Sequence, residues 1–206
     1  MGQKEQMKQN LIEEINSYYA HYVYMADVMA VHNHMQSYVN QDSKMLEVSP
    51  NFFKIVYAAT IDCYMMTFAR LYDNSEETKN MKNLIDKCKK NVFLFSDIEN
   101  TNKKLIEFEN KMNNDEYISP AIDIIKHRRD KIFAHNDKKF FIHPEKDPSR
   151  LPMYALWFLR DFTKEVLIYL LDALGEKPNK ETIYNEDLDN LLISYSKNIQ
   201  STKFGN

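Results

Sequence analysis

Apolar residues recur at steps of three and four along nearly the whole chain, and this period predicts amphipathic helices. A first helix is predicted over about residues 4–38, and a second begins at Pro50 and ends near Asp73. The second is apolar on almost every side, which is typical of a helix at the centre of a bundle. Its main apolar stripe consists of Phe52, Ile55, Val56, Ala59, Cys63 and Met66.

Later parts of the chain predict shorter helices at about 76–90 and 97–113, and two longer ones at about 120–135 and 152–174. Ser119 as N-cap and Pro120 as first helical residue mark one start, and Gly175 with Pro178 marks the last end. A short helix near 186–197 and a polar tail follow. We therefore predict one all-α domain over 1–206, with an up-and-down bundle at about 4–175 and additional short helices.

Composition removes several classes of protein. The 206 residues include three glycines, far apart in sequence, so no glycine-rich phosphate loop or dinucleotide fingerprint is present. This excludes P-loop NTPases and Rossmann enzymes, and so few glycines also argue against a turn-rich β-sandwich. A net charge of -3 gives no general attraction for nucleic acid or anionic membrane.

The location of the protein is predicted from three weak signals. Cys63 and Cys88 read as reduced thiols, and the first nine residues contain no apolar signal segment. The apolar stretch at 166–174 contains Asp172 and is too short to span a bilayer. We expect a soluble cytoplasmic protein without a membrane partner.

The most informative segment is 126–139, at the end of the predicted fifth helix. Ile122, Ile125 and Arg129 recur at helical steps, so Arg129 is expected on the buried face. A charge there needs a carboxylate or a ligand anion. The planar guanidinium of arginine offers two parallel hydrogen bonds to a phosphate.

His135 follows Arg129 by six residues, about 120° around an ideal helix. Histidine gains and loses protons near neutral pH, so it suits acid–base catalysis. Basic residues surround the pair and form a local patch that fits a phosphodiester. The predicted RNA-binding residues are Lys126, Arg128, Lys131, Lys138 and Lys139.

The run Arg129-Asp130-Lys131-Ile132-Phe133-Ala134-His135 resembles the signature of HEPN domains. With Phe68-Ala69-Arg70-Leu71-Tyr72-Asp73 ending an earlier helix, the chain is similar to the abortive-infection branch of that superfamily. The resemblance covers roughly residues 11–174 in helix order. It implies an all-α protein that forms a homodimer with one composite RNA cleft.

The same resemblance implies a metal-independent endoribonuclease without a cofactor, in which a ribose 2′-hydroxyl attacks the adjacent phosphodiester. His135 would be the general acid or base, Arg129 would stabilise the phosphorane, and Asp130 would orient one of them. Arg70, Asp73 and Asp137 are supporting candidates. Such toxins often have an antitoxin that modifies a tyrosine two residues after the histidine, where this chain has Asp137.

Structural alternatives remain open for these residues. Arg129 can form a salt bridge with Asp62, Asp73 or Asp130, and His135 can interact with a helix C-terminus. The pair Arg70 and Asp73 can be an ordinary helix-end pair. The competing function is a non-catalytic helical module that binds nucleotide, RNA or a protein.

Two further kinds of site are weaker candidates. His32 and His34 are two residues apart on a helix and therefore make poor joint ligands for a metal. A third function is a regulatory bundle that binds a small apolar ligand between helices, and an interior pocket lined by Met25, Met66 and Phe68 would favour it.

Overall fold

The computed structural model of the chain describes residues 2–40, 46–47, 49–73, 75–130, 153–178 and 189–194. Within these ranges there is no β-strand, which confirms the all-α fold class. A 3-10 turn at Val92–Leu94 and a short helical segment at 189–194 supplement the main helices. Those helices are α1 (Gln3–Asn40), α2 (Pro50–Leu71), α3 (Met81–Lys90), α4 (Ile98–Asn114), α5 (Ile118–Arg128) and α6 (Met153–Ala173).

The described residues fall into two compact units. The first unit draws on Met1–Tyr22 and Met65–Asn179, and the second on Val23–Tyr64 and Lys180–Asn206. Both α1 and α2 therefore contribute residues to each unit. The single-domain interpretation of the sequence stays a prediction.

The core of the first unit forms where successive helices pack on one another. α3 packs on α4, α4 on α5, and α5 on α6. Phe108 of α4 makes edge-to-face contacts with Phe162 and Tyr169 of α6. Each large side chain buried in this way stabilises the fold by about 1.5–3 kcal/mol. The fully buried residues include Leu84, Ile85, Leu105, Phe108, Ile125, Leu159, Val166 and Leu170.

The start of α5 differs from the sequence prediction. The helix begins at Ile118, so Ser119 and Pro120 lie inside its first turn rather than at its cap. The Asp115 carboxylate accepts hydrogen bonds from the amides of Tyr117 and Ile118, at 2.9 and 3.0 Å. Because an acidic side chain already satisfies these free amides, the helix starts before the serine.

The end of α6 agrees with the prediction from Gly175 and Pro178. Gly175 has a φ of +80°, a conformation that glycine adopts more easily than other residues. Its amide donates to the Asp172 carbonyl and the Glu176 amide donates to the Leu171 carbonyl, both at 2.9 Å. This hydrogen-bond pair is the Schellman arrangement that closes many helix ends.

The second unit has its own small core, formed by Met35, Phe53 and Leu192. Among the α2 residues of this unit, Phe53 and Tyr64 are buried, whereas Phe52 and Ile55 are 55% and 69% exposed. The expectation that α2 is buried on nearly all sides is therefore wrong for the first part of its main stripe. Because α2 is apolar on nearly every side, the spacing of its apolar residues does not indicate which face is buried.

One described helix, α2, is long and apolar enough to cross a membrane by those two criteria alone. The relevant window has a mean hydropathy of 1.2 and is one-third buried. A core helix meets the same criteria, so length and composition do not place α2 in a bilayer. α2 is the longer apolar segment, whereas the expectation of no membrane span was based on the stretch at 166–174.

Candidate functional site

The guanidinium of Arg129 lies between two carboxylates just after the end of α5. Its Nη1 donates to Oδ1 of Asp73 at 2.7 Å, and its Nε donates to Oδ1 of Asp130 at 2.8 Å. Arg129 and Asp73 are 26% and 22% exposed, whereas Asp130 is 53% exposed. The hydrogen bonds that the guanidinium donates, first to Asp130 and then to Asp73, raise the pKa of Arg129. The arginine is therefore held charged and in a fixed orientation.

The last turn of α5 sets the position of Arg129. Ile118, Ala121, Ile122 and Ile125 form the buried face of the helix, and Arg129 follows Ile125 by one turn. The Arg129 amide donates to the carbonyls of both Ile125 and Lys126, and the backbone takes a π-helical form at 129–130. Such a local widening re-aims side chains and is frequent at functional sites.

The loop after α2 holds Asp73. Thr78 Oγ1 approaches Oδ2 of Asp73 at 3.4 Å, while Nδ2 of the buried Asn80 donates to the Ser75 carbonyl at 2.8 Å. Oδ1 of Asn80 caps α3 by accepting from the Asn83 amide at 2.9 Å. One asparagine thus fixes both the loop and the start of the next helix.

The end of α2 is anchored to α6 through a buried hydroxyl pair. Tyr72 and Thr163 are 2.7 Å apart at their hydroxyl oxygens, and Thr163 donates to the Leu159 carbonyl at 2.7 Å. Burial raises the pKa of Tyr72 far above its usual value, so the hydroxyl stays neutral. Because Asp73 follows Tyr72 directly, this anchor also locates the carboxylate that meets Arg129.

Other predicted site residues lie near this ion pair. Lys126 is half-buried, and burial lowers its pKa. Nearby Arg129 lowers it further, while Asp123 and Asp73 oppose the shift. Arg128 is half-buried, and the Arg70 side chain is exposed in the last turn of α2. The carboxylate that contacts Arg129 from the loop after α2 is that of Asp73, which was one of the structural alternatives.

The remaining predicted residues fall outside the described part of the chain. They are Lys131, His135, Asp137, Lys138 and Lys139. The structure therefore brings together Asp73, Lys126, Arg129 and Asp130, and the catalytic role of His135 stays a prediction. So do the roles assigned to the other site residues.

Sequence reasoning missed three residues that position the ion pair, namely Tyr72, Thr78 and Asn80. Asn80 had a readable signal, since asparagine before an apolar run is a typical N-cap. Tyr72 and Thr163 are 91 residues apart, so nothing local in the sequence could link them. Thr78 reaches the Asp73 carboxylate only because the loop folds back toward it.

The two histidines considered for metal binding have other contacts within the second unit. Nδ1 of His32 lies 3.0 Å from Oγ1 of Thr60, and its ring packs at a tilt of 38° against the ring of Tyr57. Nε2 of His34 lies 2.7 Å from Oδ1 of Asp189. Among the described residues, no group of three or more histidine, cysteine or acidic side chains is arranged to hold a metal ion.

An apolar pocket of about 390 Å³ lies within the second unit, between α1 and the start of α2. Met35, Phe53 and Tyr57 supply its apolar walls, and Lys54 and Glu47 lie at its edge. These residues differ from the set expected for a small apolar ligand. Met25 and Phe68 of that set are each fully buried.

The fold and the site define an all-α protein with an ion pair between two helix ends. Arg129, just after the end of α5, binds Asp73, just after the end of α2. The family model HEPN_AbiU2, described as AbiU2, matches residues 5–192. The chain therefore belongs to the abortive-infection AbiU2 family of HEPN proteins. No curated protein and no solved structure matches the chain.

Proposed function

We propose that this abortive-infection HEPN protein is a metal-independent endoribonuclease that acts as a toxin in the cytoplasm. The contact between Arg129 and Asp73 carries the proposal, because it joins the two sequence motifs that resemble the family. Those motifs are 56 residues apart, and their functional residues meet at 2.7 Å. A purely local helix-end pair would not require the second motif.

In the proposed reaction, a ribose 2′-oxygen forms a bond to the adjacent phosphorus and the bond from phosphorus to the 5′-oxygen breaks. His135 takes the proton from the 2′-hydroxyl or returns one to the leaving 5′-oxygen. Arg129 stabilises the additional negative charge on the phosphorane. The products are a 2′,3′-cyclic phosphate and a free 5′-hydroxyl.

The two carboxylates prepare Arg129 for this role. Asp73 accepts from Nη1 and Asp130 accepts from Nε, and among the described residues no contact uses Nη2. An arginine already held in one rotamer loses less side-chain entropy when it binds an anion. Lys126 and Arg128 add positive charge near the same helix end and support binding of the RNA backbone.

Homodimerisation completes the proposed site. The resemblance implies a cleft built from two copies. Arg129 and His135 of one chain would then act together with the same residues of the chain related by the two-fold axis. An antitoxin protein that covers this cleft is a further proposed partner. The presence of Asp137 in place of a tyrosine argues for control by binding rather than by tyrosine modification.

The test is RNA cleavage in EDTA by purified wild-type protein, compared with Arg129→Ala and His135→Ala. Arg160→Ala is a matched control, because Arg160 also binds the aspartate that follows it, with Nε to Oδ1 of Asp161 at 2.9 Å. We expect cleavage by wild type and by the Arg160 variant. Both site variants should lose about 100-fold or more of the rate.

A second arm identifies the chemistry. An RNA with a single 2′-deoxy position at the main cleavage site should resist cleavage there, and the product should end in a cyclic phosphate. Equal cleavage by all variants would indicate a contaminating nuclease. No cleavage of several RNAs by the folded dimer would contradict the proposal.

The second candidate function is a non-catalytic HEPN module that binds a nucleotide, an RNA end or a protein. One observation favours it, namely that the described contacts of Arg129 are to carboxylates of the same chain. In this case Arg129→Ala would lower thermal stability, and RNA binding without cleavage would be the observed activity. The cleavage assay and a parallel binding assay separate the two functions.

A further inference from the structure

We propose that the pocket of the second unit binds a small zwitterion with an apolar body, namely a large apolar α-amino acid. The pocket has a volume of about 390 Å³ and lies between the last turns of α1 and the start of α2. This volume is near the lower end of the range for small-molecule sites, about 300–1,000 Å³. The proposal goes beyond the proposed function and does not depend on ribonuclease activity.

The inner walls of the pocket offer apolar contact. Met35 and Phe53 are buried members of the small core of this unit, and Leu46 packs against that core. Val39 continues the apolar wall toward solvent and is 57% exposed. An apolar side chain placed against these residues extends a small core and removes more apolar surface from water.

The polar groups of the wall are paired with one another. The Tyr57 hydroxyl donates to Oε1 of Gln36, and Nε2 of Gln36 donates to Oδ1 of Asn40 at 2.8 Å. Burial raises the pKa of Tyr57, so its hydroxyl stays neutral. Because these groups already have partners, the part of a ligand that lies inside the pocket needs no polar atoms.

The edge of the pocket carries two exposed side chains of opposite charge, Lys54 on α2 and Glu47 before it. Neither forms an ion pair with another residue in the part of the chain that the structure describes. A ligand carboxylate can pair with Lys54 while a ligand ammonium pairs with Glu47. A ligand with a single charge would instead meet one of the two as a like charge, which disfavours fatty acids and alkylamines.

An α-amino acid fits this division of the pocket into an apolar interior and a charged edge. Its ammonium, carboxylate and side chain are attached to one carbon. The side chain can therefore enter the pocket while both charges remain at the edge, in contact with Lys54 and Glu47.

Binding at this pocket should also stabilise the short helical segment at 189–194. Leu192 of that segment belongs to the same core as Met35 and Phe53. Asp189 is held by His34, with 2.7 Å between Oδ1 and Nε2. Because a ligand that binds the folded state raises its stability, occupancy of the pocket should be visible in thermal unfolding.

The experiment measures binding to the full chain by titration calorimetry and by the rise in melting temperature, at fixed ionic strength. The probes are L-phenylalanine, N-acetyl-L-phenylalanine, which lacks the ammonium, and L-phenylalaninamide, which lacks the carboxylate. We expect L-phenylalanine to bind and each derivative to bind about threefold more weakly or worse. L-glutamine carries the same two charges without an apolar body and should not bind.

Two charge variants assign the edge residues. Glu47→Gln should bind L-phenylalanine and its N-acetyl derivative equally, and Lys54→Gln should bind L-phenylalanine and its amide equally. Val39→Trp should abolish binding, because the larger side chain fills the mouth of the pocket. Lys79→Gln is the control, since Lys79 is exposed in the loop before α3, in the first unit.

Three results would overturn the proposal. One is an absence of binding of L-phenylalanine, L-leucine and L-tryptophan to the folded wild-type protein. Another is equal affinity of the wild type for L-phenylalanine and both of its derivatives, since the charges would then play no part. The third is binding that Val39→Trp leaves unchanged, which would place the ligand elsewhere on the chain.

Discussion

Arg129 and Asp73 form an ion pair at 2.7 Å between the end of α5 and the loop that follows α2. Both side chains are about three-quarters buried, so water screens their attraction less than at an open surface. Two residues far apart in sequence are therefore linked energetically. This link gives the first prediction.

A double-mutant cycle on Arg129→Ala and Asp73→Ala should give a coupling free energy of about 1 kcal/mol, between typical surface and buried pairs. Urea unfolding of the wild type, both single variants and the double variant measures it. The matched cycle is Arg160 and Asp161, whose side chains are 34% and 61% exposed. That pair should give less than about 0.5 kcal/mol. Equal coupling in both cycles would contradict the special position of Arg129.

Tyr72→Phe should lower the free energy of unfolding by about 1 kcal/mol, because it removes a buried hydroxyl that contacts Thr163. Tyr154→Phe is the control, since Tyr154 lies on α6 and is largely exposed. Chemical denaturation of both variants measures the difference. If Tyr72→Phe matched its control, the hydroxyl pair would not anchor the end of α2.

Stability should fall as the pH drops below about 6.5, partly because of His32. Burial lowers the pKa of His32, although a hydrogen bond that the ring donates to the Tyr57 backbone opposes the shift, and the aromatic rings of Tyr57 and Tyr64 pack against it. Between the lowered folded pKa and the ordinary unfolded one, the unfolded chain binds more protons. The contribution of His32 is therefore complete above the unfolded pKa and decreases toward acid.

The measurement is the slope of unfolding free energy against pH between about 5 and 7.5, in the range where histidine titrates. His32→Gln should flatten this slope relative to the wild type. The comparison uses slopes, so a constant loss of stability in the variant does not affect it. An unchanged slope in His32→Gln would refute the assignment.

The two cysteines should react at very different rates with a thiol reagent at mildly alkaline pH. Burial, reinforced by Glu14, raises the pKa of Cys88 to about 12, and the side chain is fully buried. Cys63 is only half-buried. Mass spectrometry of the native protein should find the label on Cys63, with Cys88 labelled only in denaturant. Rapid native labelling of a Cys63→Ser variant would show that Cys88 is accessible.

The sequence predicts most helices because their apolar spacing is local information. The pattern places α1, α4 and α6 within about two residues of their observed ends, and Gly175 marks the last end correctly. α5 begins two residues before the predicted position, because the Asp115 carboxylate accepts from the amides of Tyr117 and Ile118, which precede Ser119-Pro120. The larger difference is at α3, which begins at Met81 rather than near residue 76. When two residues could each cap a helix start, the choice depends on three-dimensional geometry, which the sequence pattern does not contain.

The site is only partly predictable for a related reason. The helical step from Ile125 indicates that Arg129 faces inward, and this follows from local spacing alone. Its contact with Asp73, in addition to the neighbouring Asp130, depends on how the end of α2 is anchored through Tyr72 and Thr163. That anchor joins distant parts of the chain, so the local sequence pattern carries no signal of it.

The basic residues of 126–129 occupy the end of α5, where the helix dipole leaves partial negative charge. The backbone therefore favours this cluster of positive charge even before any ligand binds. Removing a charge here is expected to weaken this interaction with the helix end as well as any ligand contact. Arg129→Ala is therefore best compared with Arg129→Lys, which keeps the charge near the helix end but loses the planar fork that suits a phosphate.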